Sequence, residues 1–144
     1  MLIGEHTHTI DSKKRVSLPS KFRKEVGKKV VITKGLDNCL FVYPVKEWGK
    51  IAEQLSALSF TQSDNRKFSR FMLSGATEVD LDSVGRVLIP DFLYEFAGLK
   101  EKAVIAGVHS RIEIWEEESW RNHKKEVEKN ADNLAEKLGD VGMI

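Results

Sequence analysis

The chain contains an internal repeat, which restricts its fold more than any other feature of the sequence. A shift of 71 positions aligns the segment that begins at Gly4 with the segment that begins at Gly75, and later parts align at a shift of 72. Residues 4–48 therefore recur as residues 75–120. A unit of about 45 residues buries too little apolar surface to be stable alone. We therefore expect the two copies to fold together as one domain.

Both copies carry the same local signals in the same order. Alternating residue types predict a first strand, and a tight turn leads to a second strand that ends at a proline. A short helix closed by a glycine and a β-hairpin follow. The first strands are predicted at residues 5–10 and 77–81, and the hairpin strands at residues 29–34, 39–43, 102–106 and 111–115. This alignment makes Ile32 equivalent to Val104.

The two copies are expected to form a small barrel with pseudo-twofold symmetry, because closing a sheet removes its exposed edges. We predict a single domain over residues 1–144, α+β in class and mainly β, with peripheral helices. The residues predicted to point inward are Val16, Leu18, Val31, Leu40, Val42, Val87, Ile89, Val104, Ile112 and Ile114.

Two regions outside the repeats have helical spacing. The spacer, residues 49–74, is expected to pack on the barrel. For the C-terminal helical tail, residues 121–144, packing on the barrel and a subunit interface are both open alternatives. The apolar positions of the tail pattern are Trp120, Val127, Ala131, Leu134 and Leu138.

Composition argues against several classes of protein. The single cysteine, Cys39, cannot form an internal disulfide, and we expect a packing role for it in a reducing, cytoplasmic setting. No apolar run approaches the roughly 20 residues of a membrane-spanning helix, so no membrane association is expected.

His6 and His8 share a strand face, but no further ligand at metal-binding spacing accompanies them. We expect no metal, no cofactor, no small-molecule substrate and no enzymatic activity.

Positive charge is concentrated near the N-terminus, although the whole chain has a net charge of only +1. Residues 1–35 contain nine basic and three acidic side chains, whereas residues 113–144 contain five basic and nine acidic ones. This distribution can present one basic face to a polyanion. An ordinary solvated surface would give the same pattern.

The most specific motif is an Asp-Ser-x-x-Arg turn that occurs in both copies, from Asp11 to Arg15 and from Asp82 to Arg86. The aspartate fixes the turn by accepting backbone hydrogens, and Gly85 supplies a positive φ in the second turn. An arginine leaving such a turn can bond two phosphate oxygens, or O6 and N7 of guanine. The alternative is that each arginine only pairs with its own aspartate.

The basic neighbours of the first turn favour DNA binding there, because no packing requirement explains three consecutive cations at its tip. For Arg86, whose neighbours are acidic, both alternatives stay open. The residues predicted to contact DNA are Lys13, Lys14, Arg15, Lys21, Arg23, Lys24 and Arg86.

At these residues the sequence resembles the MraZ family, bacterial proteins made of two tandem AbrB-like (SpoVT-AbrB) swapped-hairpin units. The likeness covers about residues 1–140 and includes both turns, Arg86-Val-Leu-Ile-Pro90, Ala97-Gly-Leu99 and Tyr43-Pro44 with Trp48. It implies a sequence-specific DNA-binding transcriptional regulator of the division and cell-wall gene cluster. It also implies a ring-shaped homo-oligomer, bound to direct repeats in double-stranded promoter DNA and associated with the nucleoid.

The first turn departs from the family pattern Asp-x-Lys-Gly-Arg, because Lys14 stands where glycine is common. A lysine at positive φ costs about 1 kcal/mol unless the loop opens. The alternative function is a protein-binding module, since AbrB-like barrels also occur in antitoxins and adaptors, and Phe68, Phe71 and Met72 could contact a partner. An antitoxin needs a disordered tail, whereas this tail has helical spacing.

Overall fold

Eight strands and six α-helices make up the computed structural model, which describes residues 1–144. The α+β class is therefore confirmed. In chain order the elements are β1 (Leu2–Thr9), β2 (Arg15–Ser17), α1 (Ser20–Val26), β3 (Lys29–Lys34), β4 (Leu40–Pro44), α2 (Val45–Ser56), α3 (Ser63–Ser69) with a π-helical turn (Arg70–Ser74), β5 (Thr77–Asp80), β6 (Arg86–Leu88), α4 (Asp91–Phe96), β7 (Lys102–His109), β8 (Ile112–Glu116), α5 (Glu117–Lys129) and α6 (Ala131–Asp140).

The two repeats exchange their first strands. Six antiparallel strands form one sheet in the order β1-β7-β8-β4-β3-β5, so β1 pairs with β7 of the other repeat and β5 pairs with β3. Strands β4 and β8, one from each repeat, meet at the centre. The second strands, β2 and β6, form a separate two-stranded ribbon in which Val16 lies opposite Val87.

The prediction of a closed barrel is wrong. Strands β1 and β5 lie at the two edges of the large sheet, and no strand connects them. The strands β2 and β6 have three residues each and pair only with one another. Because neither adds to an edge of the large sheet, the sheet stays open.

The main core lies between the sheet and a layer formed by the ribbon, α1 and α4. Eight of the ten residues predicted to point inward belong to it, and Phe22 and Leu93 anchor the two helices there with no exposed surface. Val31 and Val104 do not belong to this core. Val104 instead packs on the opposite face of the sheet, against Trp115.

Val31 lies opposite Tyr43 and so was assigned to the wrong face within its own strand, next to Ile32, which does belong to the main core. For Val104 the reason is a one-residue error in the repeat alignment. Ile32 pairs with Val42 in β4, and the position that pairs with the corresponding Ile114 in β8 is Ile105, not Val104. A shift of one residue moves a strand side chain to the other face of a sheet. The structural equivalent of Ile32 is therefore Ile105.

The opposite face of the sheet is covered by the spacer and by α5. Cys39, Tyr43, Met72 and Trp115 belong to this second cluster. The hydroxyl of Thr33 donates to the Met72 carbonyl at 2.7 Å. The spacer therefore packs on the sheet as expected, and Cys39 is a packing residue.

The tail consists of two helices that pack very differently. Trp120 of α5 contacts Trp115 at a ring distance of 5.3 Å and donates its indole hydrogen to Glu5. In contrast, every residue from Lys124 to Ile144 is exposed, including all of α6. None of the helices has the length and apolar character required to cross a membrane.

Candidate nucleic-acid interface

The two Asp-Ser-x-x-Arg turns have the same hydrogen bonds. Oδ1 of Asp11 accepts from the backbone nitrogens of Lys13 and Arg15 at 2.9 and 3.0 Å. Oδ1 of Asp82 accepts in the same way from the backbone nitrogens of Val84 and Arg86 at 3.1 and 2.9 Å. Each aspartate thus fixes its turn locally, which is why the sequence motif alone identified the geometry.

Each arginine is paired with the aspartate of its own turn. Nε of Arg15 donates to Oδ2 of Asp11 at 2.7 Å, and Nε of Arg86 donates to Oδ2 of Asp82 at the same distance. The Arg86 guanidinium also lies 3.9 Å from the Asp11 carboxylate. Both arginine side chains remain about one-third exposed, at 30% and 33%. The ion pairs use the Nε atoms, so the terminal nitrogens of Arg15 are free to bind another group.

The turn of each repeat lies against the short helix of the other repeat. Nζ of Lys14 donates to Asp91 at 2.7 Å and lies 4.9 Å from the centre of the Tyr94 ring, both on α4. The hydrogen bond to Asp91 raises the pKa of Lys14. On the other side, Nη1 of Arg23 on α1 donates to the carbonyl of Val84 at 3.0 Å. The short helix of each repeat therefore contacts and stabilises the turn of the other repeat.

These contacts explain why the two turns differ in sequence. Lys14 and Gly85 occupy equivalent positions with φ values of 61° and 81°, so the lysine adopts the positive φ and the first turn does not open. A Cβ atom at Gly85 would overlap the Arg23 side chain, which fills that space. The first turn instead faces Tyr94, beside which the lysine chain has room.

We expect Gly85→Ala to destabilise the fold by about 1 to 2 kcal/mol, because it adds backbone strain and displaces Arg23 from the second turn. Lys14→Gly relieves strain at an equivalent position and loses the exposed ion pair with Asp91 and the contact with the Tyr94 ring, so it should destabilise the fold less than Gly85→Ala does. Urea unfolding of the two variants tests this difference. Equal destabilisation by both would contradict the proposed role of Arg23.

The remaining basic residues lie on α1 and at the tip of the first turn. Lys13, Lys21 and Lys24 are exposed and form no ion pair within the protein. Nζ of Lys21 lies 5.6 Å from the centre of the Phe22 ring at the surface of α1. Exposed cations thus lie at the tip of the first turn and along α1, on the side of the sheet that carries the ribbon.

The turn carboxylates are expected to make the stability of the fold dependent on pH. The backbone hydrogen bond from Arg15 lowers the pKa of Asp11, and that from Arg86 lowers the pKa of Asp82. A carboxyl group whose pKa falls on folding stabilises the native state above its unfolded pKa of about 4. This stabilisation is lost as the pH falls through the native pKa.

We therefore expect the melting temperature to fall as the pH decreases from about 4, and we expect Asp11→Asn with Asp82→Asn to reduce that fall. The double variant should be less stable than the wild type at pH 7, because each asparagine loses its ion pair. Thermal unfolding at pH 7, 4 and 3 measures both effects. Parallel curves for the two proteins would show that these carboxylates do not cause the acid sensitivity.

The two histidines of β1 and the single cysteine are placed in ways that do not favour metal binding or nucleophilic chemistry. His6 packs its ring against Phe22 at 5.5 Å, and burial, followed by the charges of His6 and Arg23, lowers the pKa of His8. Burial raises the pKa of the Cys39 thiol, which makes the reactive thiolate scarce. No group of three or more His, Cys, Asp or Glu side chains is placed to hold a metal ion.

Sequence reasoning missed Asp91 and Tyr94 as partners of the first turn, and Arg23 as a residue that holds the second turn. These contacts could have been suspected from two positions at which the two repeats carry different residues. Arg23 aligns with Tyr94, and Lys14 aligns with Gly85. In the structure Lys14 lies beside Tyr94 and Gly85 lies against Arg23, so both differences between the copies occur at positions that contact each other.

Comparison with known proteins finds the same tandem organisation in the sequence. The family model described as "MraZ protein, putative antitoxin-like" matches residues 1–71 and again residues 72–141. A protein named transcriptional regulator MraZ from Caldicellulosiruptor saccharolyticus is 48% identical over 99% of this chain and 100% of its own length. Proteins of the same name from Natranaerobius thermophilus and Moorella thermoacetica are 48% and 49% identical, over 97% of this chain and 98% of their own lengths. With two family matches in tandem and full-length relatives near half identity, this chain belongs to the MraZ family.

Proposed function

We propose that the chain is a sequence-specific DNA-binding transcriptional regulator that contacts DNA through the ribbon β2–β6 and its two turns. The observation that carries this proposal is the pair of partly exposed arginines, Arg15 and Arg86, each held by an aspartate on the same small ribbon. The names of the relatives support transcriptional regulation, and the chain is a regulator rather than an enzyme.

A two-stranded ribbon has dimensions that fit the major groove of B-form DNA. The ion pairs with Asp11 and Asp82 restrict the guanidinium groups, so less side-chain entropy is lost when they bind guanine or phosphate. Lys13, Lys14, Lys21 and Lys24 would contact the flanking phosphates, which supply affinity. Arg23 borders this surface and fixes the second turn with one of its nitrogens.

The proposed regulator works as a ring-shaped homo-oligomer on direct repeats in promoter DNA. Two arginines and a few lysines give weak binding at physiological salt, whereas several linked copies raise apparent affinity by roughly two to four orders of magnitude. Direct repeats suit a head-to-tail assembly, because successive subunits then present the same face in the same direction. The proposed target is the division and cell-wall gene cluster, and the proposed location is the nucleoid within the cytoplasm.

Within each subunit we propose one domain over residues 1–144. It comprises AbrB-like swapped-hairpin repeats at residues 4–48 and 75–120, a helical spacer at 49–74 and the tail at 121–144. The exchange of β1 and β5 between the repeats supports the swapped-hairpin assignment. The open sheet means that this arrangement would not be a closed barrel.

A footprint on the DNA upstream of the gene for this protein tests the proposal. We expect protection at regularly spaced direct repeats, with affinity that falls steeply as salt rises. Uniform protection of any sequence would contradict sequence specificity.

The alternative function is protein binding through exposed aromatic residues of the spacer, since Phe60 and Phe68 are 80% and 40% exposed and the matching family model has an antitoxin-like description. Recovery of a stoichiometric protein partner, together with no retention on DNA at moderate salt, would favour this alternative.

A further inference from the structure

The outward face of the ribbon β2–β6 carries two cross-strand pairs of side chains. Successive residues of a strand point to opposite faces, and residues directly opposite each other on antiparallel strands point to the same face. Val16 and Val87 lie opposite each other and are fully buried, so the pairs on either side of them face away from the core. These outward pairs are Arg15 with Leu88 and Arg86 with Ser17.

The two repeats differ at one of the two equivalent positions on this face. Leu88 aligns with Ser17 at the shift of 71 residues, and the leucine is 53% exposed. Strands β2 and β6 have the same length and pair only with each other. Because Ser17 forms the equivalent pair, the ribbon does not require an apolar side chain there. A leucine left in water also gains none of the free energy of burial, so packing within the subunit does not explain Leu88.

The neighbours of Leu88 on the ribbon are basic. Arg15 lies directly opposite it, and Arg86 precedes it by two residues on the same face. The residue that follows Leu88 donates its backbone hydrogen to the carbonyl of Lys14 at 2.9 Å, which places the first turn beside the end of β6. The carboxylates of the two turns and of the first residue of α4 are paired with these same cations. A ligand that complements this surface therefore combines negative charge with an apolar group.

The major groove of DNA presents that combination at a T·A base pair. Phosphates line the groove, and the C5 methyl of thymine is the apolar group that a base edge exposes in it. Residues opposite each other on paired strands have Cβ atoms about 5 Å apart, and successive base pairs are about 3.4 Å apart. Leu88 would therefore reach the base pair that Arg15 contacts or the next one. Against a polar base edge, a leucine would leave a hydrogen-bonding group without a partner.

We propose that Leu88 contacts the C5 methyl of a thymine at or beside the base pair read by Arg15, and that it determines specificity at that position. This inference rests on the proposed function, because it requires the ribbon to lie in the major groove. At the equivalent place beside Arg86, the hydroxyl of Ser17 can bond to different bases and makes no such selection. The two halves of the ribbon therefore read different sequences, so each subunit binds its site in one orientation.

Replacing thymine by uracil tests the contact, because uracil lacks only the C5 methyl. The probe is a duplex with one copy of the sequence that the footprint shows to be protected, and each of its thymines is replaced singly by uracil. Filter binding at low salt makes the affinity for a single site measurable. For the wild type we expect one such replacement to weaken binding about three- to fivefold, the value of one buried methyl group. Equal affinity for all of the duplexes would overturn the inference.

Leu88→Ser assigns the methyl contact to a residue. It gives β6 the residue that β2 has at the equivalent position, so circular dichroism should show an intact fold. We expect the variant to bind the thymine and uracil duplexes equally at the position that the wild type distinguishes. Val108→Ser is the matched control, since it removes an exposed apolar side chain from β7, and it should keep the wild-type ratio. A wild-type ratio in Leu88→Ser would exclude Leu88 as the residue that contacts the methyl.

This inference and the proposed function fail in different ways. A wild type that binds promoter repeats specifically but does not distinguish thymine from uracil would support the function and overturn the inference. A wild type without sequence preference, or without affinity for DNA, would overturn both. If Leu88 contacted a protein instead, Leu88→Ser would leave the affinity for DNA unchanged, and that result also overturns the inference.

Discussion

Replacing both Arg15 and Arg86 by alanine is expected to abolish sequence-specific DNA binding while leaving the fold intact. Each bidentate contact to guanine contributes about 1 to 3 kcal/mol of discrimination, and in an assembly the loss recurs in every subunit. We expect affinity for promoter repeats to fall by roughly two orders of magnitude or more. The slope of log K against log salt should also decrease for each phosphate contact removed. Filter binding at several salt concentrations measures both quantities.

Lys46→Ala is the matched control for charge, because Lys46 is an exposed cation on α2, on the other face of the sheet. It should change neither affinity nor the salt slope. Arg15→Lys separates the two roles of the arginine, since lysine keeps the charge without the planar fork. We expect Arg15→Lys to keep most of the salt slope and to lose discrimination between operator and random DNA. Full discrimination in the Ala double variant would show that the ribbon does not read the sequence.

Phe22→Ala is expected to be strongly destabilising, more so than Gly85→Ala. Phe22 has no exposed surface, belongs to the main core and contacts His6. Truncation of a buried phenylalanine costs about 3 to 5 kcal/mol, a large part of a total stability of about 5 to 15 kcal/mol. The melting temperature should fall by roughly 10 to 20 °C. Because Phe22 anchors α1, Arg23 should also lose its hold on the second turn.

Phe92→Ala is the control, since Phe92 lies on the equivalent helix α4 and is 46% exposed. The same truncation there should cost about 1 kcal/mol or less. Calorimetry on both variants measures the difference. Similar melting temperatures would mean that α1 is not held by the core contact of Phe22.

The local geometry of the candidate site could be predicted from the sequence. Oδ1 of Asp11 contacts backbone groups two and four residues away, so the motif contains the whole interaction. Alternation within strands also identified Val16 and Val87 as core residues, because successive strand side chains point to opposite faces. The repeat alignment misplaced Val104, because an alignment error of one residue assigns a strand side chain to the wrong face of the sheet.

The sequence by itself thus determined the repeat, the two aspartate-fixed turns and the basic residues around the first of them, because these depend on contacts within a few residues. Only the tertiary structure decided that the sheet stays open, that Lys14 binds Asp91 and that Arg23 holds the second turn. Lys14 and Asp91 are 77 residues apart in the sequence, and Arg23 is 61 residues from Val84 in the second turn. Their meeting depends on how one repeat packs against the other, which no local pattern specifies.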